Sequence, residues 1–352
     1  MNGEILRPAK NKPVYAVTMQ CKNGYILNLD SVVVKLMLSE PQNEIAQRCI
    51  VRLANTEVDG HLLSEMIAPL NMVFISANDG DRDEEVFRGF VWTDTYTNNS
   101  EKTIQITAYD NLIYLMSSED SRYYPTGSSS EWIITDICSA WGIDLIYTYD
   151  SITHKKLPMS GTIADMILSV LEKVRLNTRK KYVVRSAVNV MYIKNVGENA
   201  MIYDIVRGYN AIQTSSTTTL KGTITSVGVL GERNDDGYTP IDATYDGDTE
   251  TWGTLRKLIN SSTYDDSNEK KSETDRTFES AEAEAQSILD EHGQPKVTFN
   301  VEGTDIPWIR KGDNVRVVAG DMSALYTVLS IWHDGVEKTM GMEVELYEER
   351  AA

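Results

Sequence analysis

The chain has 352 residues, of which 41% are hydrophobic and 24% are charged, the composition of a globular protein with two or three domains. Its 52 acidic residues outnumber its 34 basic residues and give a net charge of −18. This charge argues against specific nucleic acid binding and against binding to an anionic membrane surface, because both ligands are bound through clustered Lys and Arg side chains.

The three cysteines, Cys21, Cys49 and Cys138, are widely spaced and favour neither a disulfide framework nor a zinc ribbon. Cys49 lies in an alternating strand pattern and Cys138 on an apolar helical stripe, so we expect both to be buried core thiols. The N-terminus has no apolar run of signal-peptide length, and no apolar run approaches the roughly 20 residues of a membrane helix. These features predict a chain that folds in a reducing cytoplasm and does not span a membrane.

The N-terminal part of the chain, up to Tyr109, alternates between apolar and polar residues as half-buried strands do. The predicted strands are Val14–Met19, Ser31–Leu38, Ile45–Leu53, Met72–Ile75, Val86–Trp92 and Thr103–Tyr109. The turn formers Asn78, Asp79 and Gly80 predict a hairpin between two of them. Strands of this length and spacing favour a small β-barrel or β-sandwich.

The stretch Lys102–Tyr124 begins as a strand and then changes character. Polar turn formers, Tyr109 to Asn111, are followed by an apolar run that starts at Leu112. Everything before this stretch has strand periodicity, whereas helical patterns follow directly after it. We therefore predict that Tyr109, Asp110 and Leu112 hold the junction between a first β-domain and an inserted unit.

The inserted unit, residues 116–205, is predicted to contain two helices and a few strands. Ser128 with Glu131 resembles a capping box for the first helix, and Thr162 with Asp165 does so for the second. Trp141 continues the apolar stripe of the first helix, so we expect it in the core.

Strand periodicity returns after the inserted unit and runs to the C-terminus. A predicted helix, Phe278–His292, interrupts it, and the polar stretch Asn260–Asp275 before that helix is typical of an exposed loop. The predicted division is therefore 1–115 for a first β-domain, 116–205 for the inserted α/β domain, and 206–352 for a second β-domain. The fold class is mainly β with an α/β insertion (α+β).

No catalytic, metal-binding or cofactor-binding residue is predicted. The four histidines lack the spacing of a metal site, and Cys138 lies late in its helix rather than at a helix start where a catalytic thiol would be activated. Asp79, Asp81 and Asp83 alternate like calcium ligands, but Glu84 stands where a calcium loop requires glycine. We interpret that segment as a solvent-exposed hairpin tip.

Two tryptophans are candidates for contacts with another protein. Trp308 follows Pro307 in a predicted turn, where an aromatic side chain can be exposed and can anchor an interface. Trp252, in the segment Trp252–Leu255, is a second candidate.

The order of motifs resembles that of the baseplate hub proteins of contractile phage tails and phage-tail-like bacteriocins. The resemblance is strongest to the hub proteins of Gram-positive prophages. Those proteins are related in fold to late-control protein D and to the N-terminal region of type VI spike proteins. The segments that carry the resemblance are Val86–Val91, Thr107–Leu115, Trp252–Leu255 and Ile309–Val315, with His333 and Met342 near the C-terminus. The chain departs from the family at Ala108, where Cys is frequent.

The resemblance implies a homotrimer in which two barrel-like β-domains from each subunit form a pseudo-sixfold ring. Such a ring adapts a sixfold tail tube to a threefold central spike. The implied partners are the central spike protein, the tail tube or tube-initiator protein and other baseplate proteins. The implied location is the baseplate of a phage tail or tail-like particle that is made in the bacterial cytoplasm and released by lysis.

Two other functions are compatible with the residues alone. A tail-associated peptidoglycan hydrolase would need a pair of indispensable carboxylates or a reactive Cys138. A module that binds cell-wall carbohydrate would need an exposed aromatic platform. The absence of catalytic spacing favours a structural protein without enzymatic activity over the first of these.

Overall fold

The computed structural model describes residues 4–6, 12–58, 60–97, 102–231, 234–260, 281–320 and 322–347. Strands dominate, and helices are few, so the predicted α+β class is confirmed. None of the described helices is long and apolar enough to cross a membrane.

The first part of the chain folds into strands that surround a single apolar core. Its elements are β1 (Glu4–Leu6), β2 (Val14–Gln20), β3 (Ile26–Asn28), β4 (Val33–Glu40), β5 (Arg48–Ala54), β6 (Glu57–Val58), β7 (His61–Leu62), α1 (Leu63–Met66), β8 (Met72–Asn78), β9 (Asp83–Thr97) and β10 (Thr103–Tyr109). We call β2–β5 with β8–β10 the first β-region. Alternate residues of these strands enter the same buried cluster, for example Val17, Val51 and Ile106. The sheet therefore curls around its core, and the alternation predicted from sequence is confirmed.

The inserted unit follows directly. Its elements are α2 (Ile113–Ser117), β11 (Glu119–Tyr124), α3 (Ser130–Ala140), β12 (Asp144–Tyr147), β13 (Leu157–Thr162), α4 (Ile163–Thr178), β14 (Tyr182–Ala187) and β15 (Val190–Asn195). The Thr162 hydroxyl oxygen accepts a hydrogen bond from the Asp165 backbone N–H at 3.2 Å, as the capping box predicted. The first helix is capped by Ser129 and not by Ser128, so that prediction was wrong by one residue in a run of serines.

The second β-region consists of β16 (Met201–Val206), β17 (Ala211–Thr219), β21 (Lys296–Thr304), β22 (Asn314–Ala319), β23 (Met322–Asp334) and β24 (Thr339–Leu346). Its inward residues, among them Val301, Val315 and Met342, form a second β core.

A small unit lies in the chain between β17 and β21. It consists of β18 (Ser226–Leu230), β19 (Ile241–Asp246), α5 (Thr249–Trp252), β20 (Arg256–Asn260) and α6 (Ala281–His292). One face of its three-stranded sheet packs against α6 around Val227, Ile259 and Ile288. The sequence predicted α6 but not this separate core. Apart from Asn260, which ends β20, the predicted loop up to Asp275 lies outside the described residues, as do the first residues of the predicted helix, 278–280.

The two β-regions are hydrogen-bonded to each other within one chain. Strand β4 pairs antiparallel with β23, so that Glu40 faces Ile331 and Met37 faces Asp334. A continuous path of paired strands consequently runs β17–β21–β24–β23–β4–β5–β10–β9–β8–β2–β3. On the other side of β23, β22 pairs with β16, and β16 pairs with β1. The chain thus returns to the large sheet at Met201, slightly before the predicted boundary at 205; the division into three domains stays a prediction.

Candidate functional site

The turn that leaves the first β-region is fixed by Asp110. Its Oδ1 atom accepts a hydrogen bond from the backbone N–H of Leu112 at 2.9 Å, and its Oδ2 atom accepts one from the backbone N–H of Gln47 at 2.9 Å. The backbone N–H of Asp110 donates in return to the carbonyl oxygen of Gln47 at 3.1 Å. Burial raises the pKa of Asp110 to about 7, although both backbone donors act to lower it.

The residues on either side of Asp110 pack against the same apolar core. Leu112 is fully buried in the core of the inserted unit, and Tyr109, the last residue of β10, packs against that same core. The structure therefore brings Tyr109, Asp110 and Leu112 together at the boundary where the sequence placed them. Their role in holding that boundary stays a prediction.

The hairpin of β14 and β15 docks onto this turn. Asn111 donates from Nδ2 to the carbonyl oxygen of Asn189 at 2.9 Å, and the Ser186 hydroxyl donates to Asn111 Oδ1 at 2.7 Å. The hairpin turns at Val188 and Asn189, which both have positive φ, 49° and 64°. These are the backbone angles of a type I′ turn, in which a β-branched residue such as Val188 is unusual. The hairpin tip is thus held against the exit of the first β-region.

A loop of the second β-region completes the junction. Arg310 pairs through Nε with the buried carboxylate of Glu40 and donates from Nη2 to the carbonyl oxygen of Ser186 at 3.2 Å. Burial alone would raise the pKa of Glu40, but the Arg310 guanidinium lowers it below its usual value. Asp313 accepts the backbone N–H of Arg310 at 2.9 Å and the Arg185 guanidinium at 3.0 Å.

Lys311 and Gly312 continue the same loop. The Lys311 ammonium donates to the carbonyl oxygen of Pro41 at 3.1 Å and also to that of Glu44. Burial lowers the pKa of Lys311. Gly312 has φ +84°, and a Cβ atom built on it would lie 2.7 Å from the Cβ of Val183. Only glycine therefore permits both this backbone conformation and this approach to β14.

The junction is a place where three parts of the chain meet: the first β-region, the inserted unit and the second β-region. We call its charged and polar set, Glu40, Asp110, Arg185, Arg310, Lys311 and Asp313, the junction network. Its groups are hydrogen-bonded to one another or to backbone atoms, so they are arranged to hold the parts together. An open recess of about 280 Å³ adjoins it and is lined in part by Gln47, Asp110 and Arg310. Within the described ranges, no group of three or more His, Cys, Asp or Glu side chains is placed to hold a metal ion.

Trp308 makes a second contact between the β-regions. Its indole N–H donates to Asp79 Oδ2 at 2.9 Å, and the Arg82 guanidinium lies 4.3 Å from the ring centroid. The ring is half-buried and packs against the cores of both β-regions. The predicted exposed hairpin tip is confirmed at Asp81 and Asp83, whereas Asp79 is half-buried and engaged by Trp308. A contact of Trp308 with another protein stays a prediction.

Trp252 is half-buried at the end of α5. Its indole nitrogen is buried and has no hydrogen-bond partner among the residues that the structure describes. Its assignment to an interface also stays a prediction.

The sequence missed a buried contact that links the two β-regions. Asp305 accepts the Tyr15 hydroxyl at 2.6 Å through Oδ2, and its Oδ1 atom lies 2.7 Å from His333 Nδ1. His333 Nε2 lies 3.1 Å from the carbonyl oxygen of Ile309. His333 thus joins the Asp305 carboxylate to the backbone of the loop that contains Ile309.

Comparison with known proteins decides the family. The sequence matches the profile of a family described as YQBQ-like over residues 71–347. The chain belongs to the YQBQ-like family. The match includes the exit turn, the inserted unit and the loop of Arg310 to Asp313. None of the curated proteins compared with this YQBQ-like chain matches it.

Solved structures of phage tail proteins share the fold of this YQBQ-like protein. The 43 kDa tail protein of prophage MuSo2 from Shewanella oneidensis aligns with a TM-score of 0.65 and 13% identity, covering 94% of this chain and 98% of that one. A tail protein from Neisseria meningitidis aligns with a TM-score of 0.64 and 10% identity, covering 96% and 97%. The Escherichia coli c3393 protein aligns with a TM-score of 0.53 and 9% identity, covering 91% and 76%; it is a component of the type VI secretion system with structural similarity to the T4 tail proteins gp27 and gp5. The tail-protein resemblance of the sequence is thereby confirmed at the level of fold.

Proposed function

We propose that this protein is the structural baseplate hub of a contractile injection particle. In this proposal a homotrimer adapts a sixfold tail tube to a threefold central spike, and the protein has no enzymatic activity. The partners would be the spike, the tail tube or tube-initiator protein and other baseplate proteins. The chain would be made in the bacterial cytoplasm, assembled into the baseplate and released with the particle by lysis.

One observation carries this proposal. Two β-regions, each curled around its own core, are joined edge to edge through β4 and β23 in a single chain. Three copies of such a chain supply six β-regions, the number that a ring below a sixfold tube requires, while the assembly itself keeps the threefold symmetry of a spike. The shared fold with tail proteins and with a type VI secretion component supports the same assignment.

The junction network gives the proposed hub a mechanical property. It fastens the inserted unit and both β-regions through buried, mutually paired charges. Breaking such a pair leaves an uncompensated buried charge and is strongly unfavourable. The three parts would therefore behave as one rigid piece, as an adaptor between two symmetries must.

The test is a reconstruction of the assembled particle by electron cryomicroscopy. We expect three copies around the axis, between tube and spike. A peripheral location, or six copies on the axis, would contradict the proposal. A zymogram on peptidoglycan and a binding assay with purified cell wall test the two other functions, and we expect neither clearing nor retention by the isolated chain.

A further inference from the structure

The small unit, β18 to α6, is attached to the rest of the chain by two short connections. Strands β17 and β21, which flank it, are paired up to Thr219 and Lys296, so the chain enters and leaves the unit at the same end of one strand ladder. The unit has its own apolar core, and none of the described residues of that core also belongs to the core of the inserted unit or of either β-region. Its position against the inserted unit therefore depends on contacts other than a shared apolar core.

Charged side chains link the small unit to helix α4 of the inserted unit. The Arg175 guanidinium forms an ion pair with Glu291, near the end of α6, and it donates from Nε to Glu172 on α4 at 2.8 Å. The side chains of Arg175 and Glu291 are 14% and 25% exposed. One guanidinium thus binds a carboxylate of its own helix and a carboxylate of the other unit.

The neighbouring charges of the two surfaces are complementary as well. Burial acts to raise the pKa of Glu172, but Arg175 and, from the small unit, Lys257 lower it below its usual value. Burial lowers the pKa of Lys173, and Glu284 of α6 acts against that shift. At each of these three positions of α4, a charge of one sign therefore lies near a charge of the other sign on the small unit.

This contact differs from the junction network in its access to solvent. The carboxylate side chains of the network's ion pairs, Glu40 and Asp313, are only 4% and 9% exposed, whereas Glu172 is 44% exposed and Lys257 lies at the surface. Salt screens charges that contact solvent much more than it screens buried charges, and the screening length shortens from about 8 Å at 0.15 M to about 3 Å at 1 M. The contact of the small unit is therefore more sensitive to salt than the junction.

We propose that the small unit is a lobe that undocks from α4 when its charged contacts are screened or reversed, while the other parts of the chain keep their arrangement. The lobe would turn as one body about the connections 220–225 and 293–295, because α6 closes its core. Relative motion is the ordinary behaviour of two units whose interface is neither large nor hydrophobic. The junction network would hold the other three parts together throughout.

Distances between spin labels test this movement. The pair Tyr123→Cys on the inserted unit with Thr244→Cys on the small unit reports on the lobe, since both positions are exposed. The pair Tyr123→Cys with Val336→Cys, an exposed position of the second β-region, is the control. The native cysteines are buried, and labelling of the wild-type chain checks that they do not react.

Pulsed electron paramagnetic resonance measures both pairs at about 0.05 M and about 1 M sodium chloride. We expect one distance for each pair at low salt. At high salt a second distance should appear for the lobe pair, because the contacts between α4 and α6 are screened, and the control pair should not change.

Reversal of one charge should have the same effect without added salt. Glu291→Lys places a like charge against Arg175, so the second distance should appear already at low salt, with the docking equilibrium shifted about tenfold or more. The matched control, Glu282→Lys, makes the same change of charge nine positions earlier on α6. Nine positions are about two and a half helical turns, so that side chain lies on the opposite side of the helix. Circular dichroism confirms that both variants fold.

Every result of these measurements supports or overturns the lobe. An unchanged distance for the lobe pair at high salt and in Glu291→Lys would overturn it, and so would equal effects of Glu291→Lys and Glu282→Lys. A change at high salt without one in Glu291→Lys would show that the charges of α6 do not hold the lobe. A change in the control pair would show that the junction also yields to salt, which contradicts a movement of the small unit alone. The hub assignment is judged separately, by the position of the chain in the particle.

Discussion

The Nε1 atom of Trp308 lies 2.9 Å from Asp79 Oδ2, although the two residues are 229 positions apart in the sequence. Trp308 belongs to the second β-region and Asp79 to the hairpin turn between β8 and β9. The hydrogen bond lowers the pKa of Asp79 against the raising effect of burial, together with backbone N–H groups of the turn. Arg82 covers the indole ring from the same hairpin. A turn that the sequence indicates is solvated thus also makes a contact between the two β-regions. We call this contact of Trp308 with Asp79 and Arg82 the latch.

Removing this latch should destabilise the chain measurably. Trp308→Phe keeps most of the apolar ring and loses the hydrogen bond to a carboxylate, so we expect the free energy of unfolding to fall by about 1–2 kcal/mol. Trp308→Ala also leaves a cavity and should cost about 3–5 kcal/mol. Urea unfolding measures both. Trp132→Phe, at a site that is 51% exposed, is the control and should stay within about 0.5 kcal/mol. Equal effects at the two tryptophans would contradict the latch.

The pair of Glu40 and Arg310 should show strong energetic coupling. Replacing either partner leaves the other charge buried and unpaired, so Glu40→Leu and Arg310→Met should each cost about 3–5 kcal/mol. The double variant removes both charges and should cost less than the sum, by about 2 kcal/mol or more. Denaturant unfolding gives the free energy of unfolding of the wild-type chain, the two single variants and the double variant. The pair of exposed Lys180 and partly exposed Asp150, at 2.9 Å, gives the matched cycle, where coupling should stay below about 1 kcal/mol. Similar coupling in the two cycles would show that burial does not strengthen the pair.

The local features of the fold could be predicted because they depend on neighbouring residues. Alternation at β5 and β10 follows from period-2 burial, and Thr162 caps α4 because its partner lies three residues away. Asp110 was identified because a polar turn interrupts an apolar pattern. Trp141 shows the limit of such reasoning, since α3 ends at Ala140 and the side chain leaves the apolar stripe, with 37% of its surface exposed.

The long-range contacts could not be predicted from one sequence. Arg310 and Glu40 lie 270 residues apart, and no local pattern relates them until the second β-region is placed beside the first. The same holds for Asp305 with Tyr15, which are 290 residues apart. The separate core of the small unit was also missed, because its sheet pairs strands β18 and β20 from either side of β19 and α5. The sequence indicates some of the residues that form the junction, but it does not indicate which distant segments come into contact there.

The junction should make stability depend on pH through Asp110. Its pKa is about 7 in the folded chain and about 3.8 for an unperturbed carboxyl group. Between these two pH values, the Asp110 carboxyl group is therefore protonated in the folded chain and ionised in the unfolded chain. The stability that this group contributes is fully present below about pH 4 and is lost as the pH rises to about 7, with a loss of about 1.4 kcal/mol for each pH unit between the two values.

The variant Asp110→Asn cannot titrate at this position. Compared with this variant, the wild-type chain should lose stability as the pH rises from about 4 to about 7. The variant also lacks one hydrogen-bond acceptor, but that loss changes its stability by an amount that does not vary with pH. Denaturant unfolding at a series of pH values gives the difference curve. Asp144→Asn, at an exposed site, controls for the removal of one carboxylate. A wild-type curve that runs parallel to that of Asp110→Asn would show that Asp110 does not titrate in this range.

Gly312 provides a test of how closely the second β-region approaches the inserted unit. Gly312→Ala places a Cβ atom 2.7 Å from Val183 in a residue with φ +84°, so both backbone strain and a collision with β14 are expected. Gly222 has nearly the same φ, +86°, with no atom within 4 Å of its Cβ position. Gly222→Ala should therefore show the strain alone, about 1–2 kcal/mol, whereas Gly312→Ala should cost at least about 3 kcal/mol. Hydrogen exchange should also quicken in β14 and β15 of Gly312→Ala only. Equal losses in the two variants would mean that the contact with Val183 is not tight.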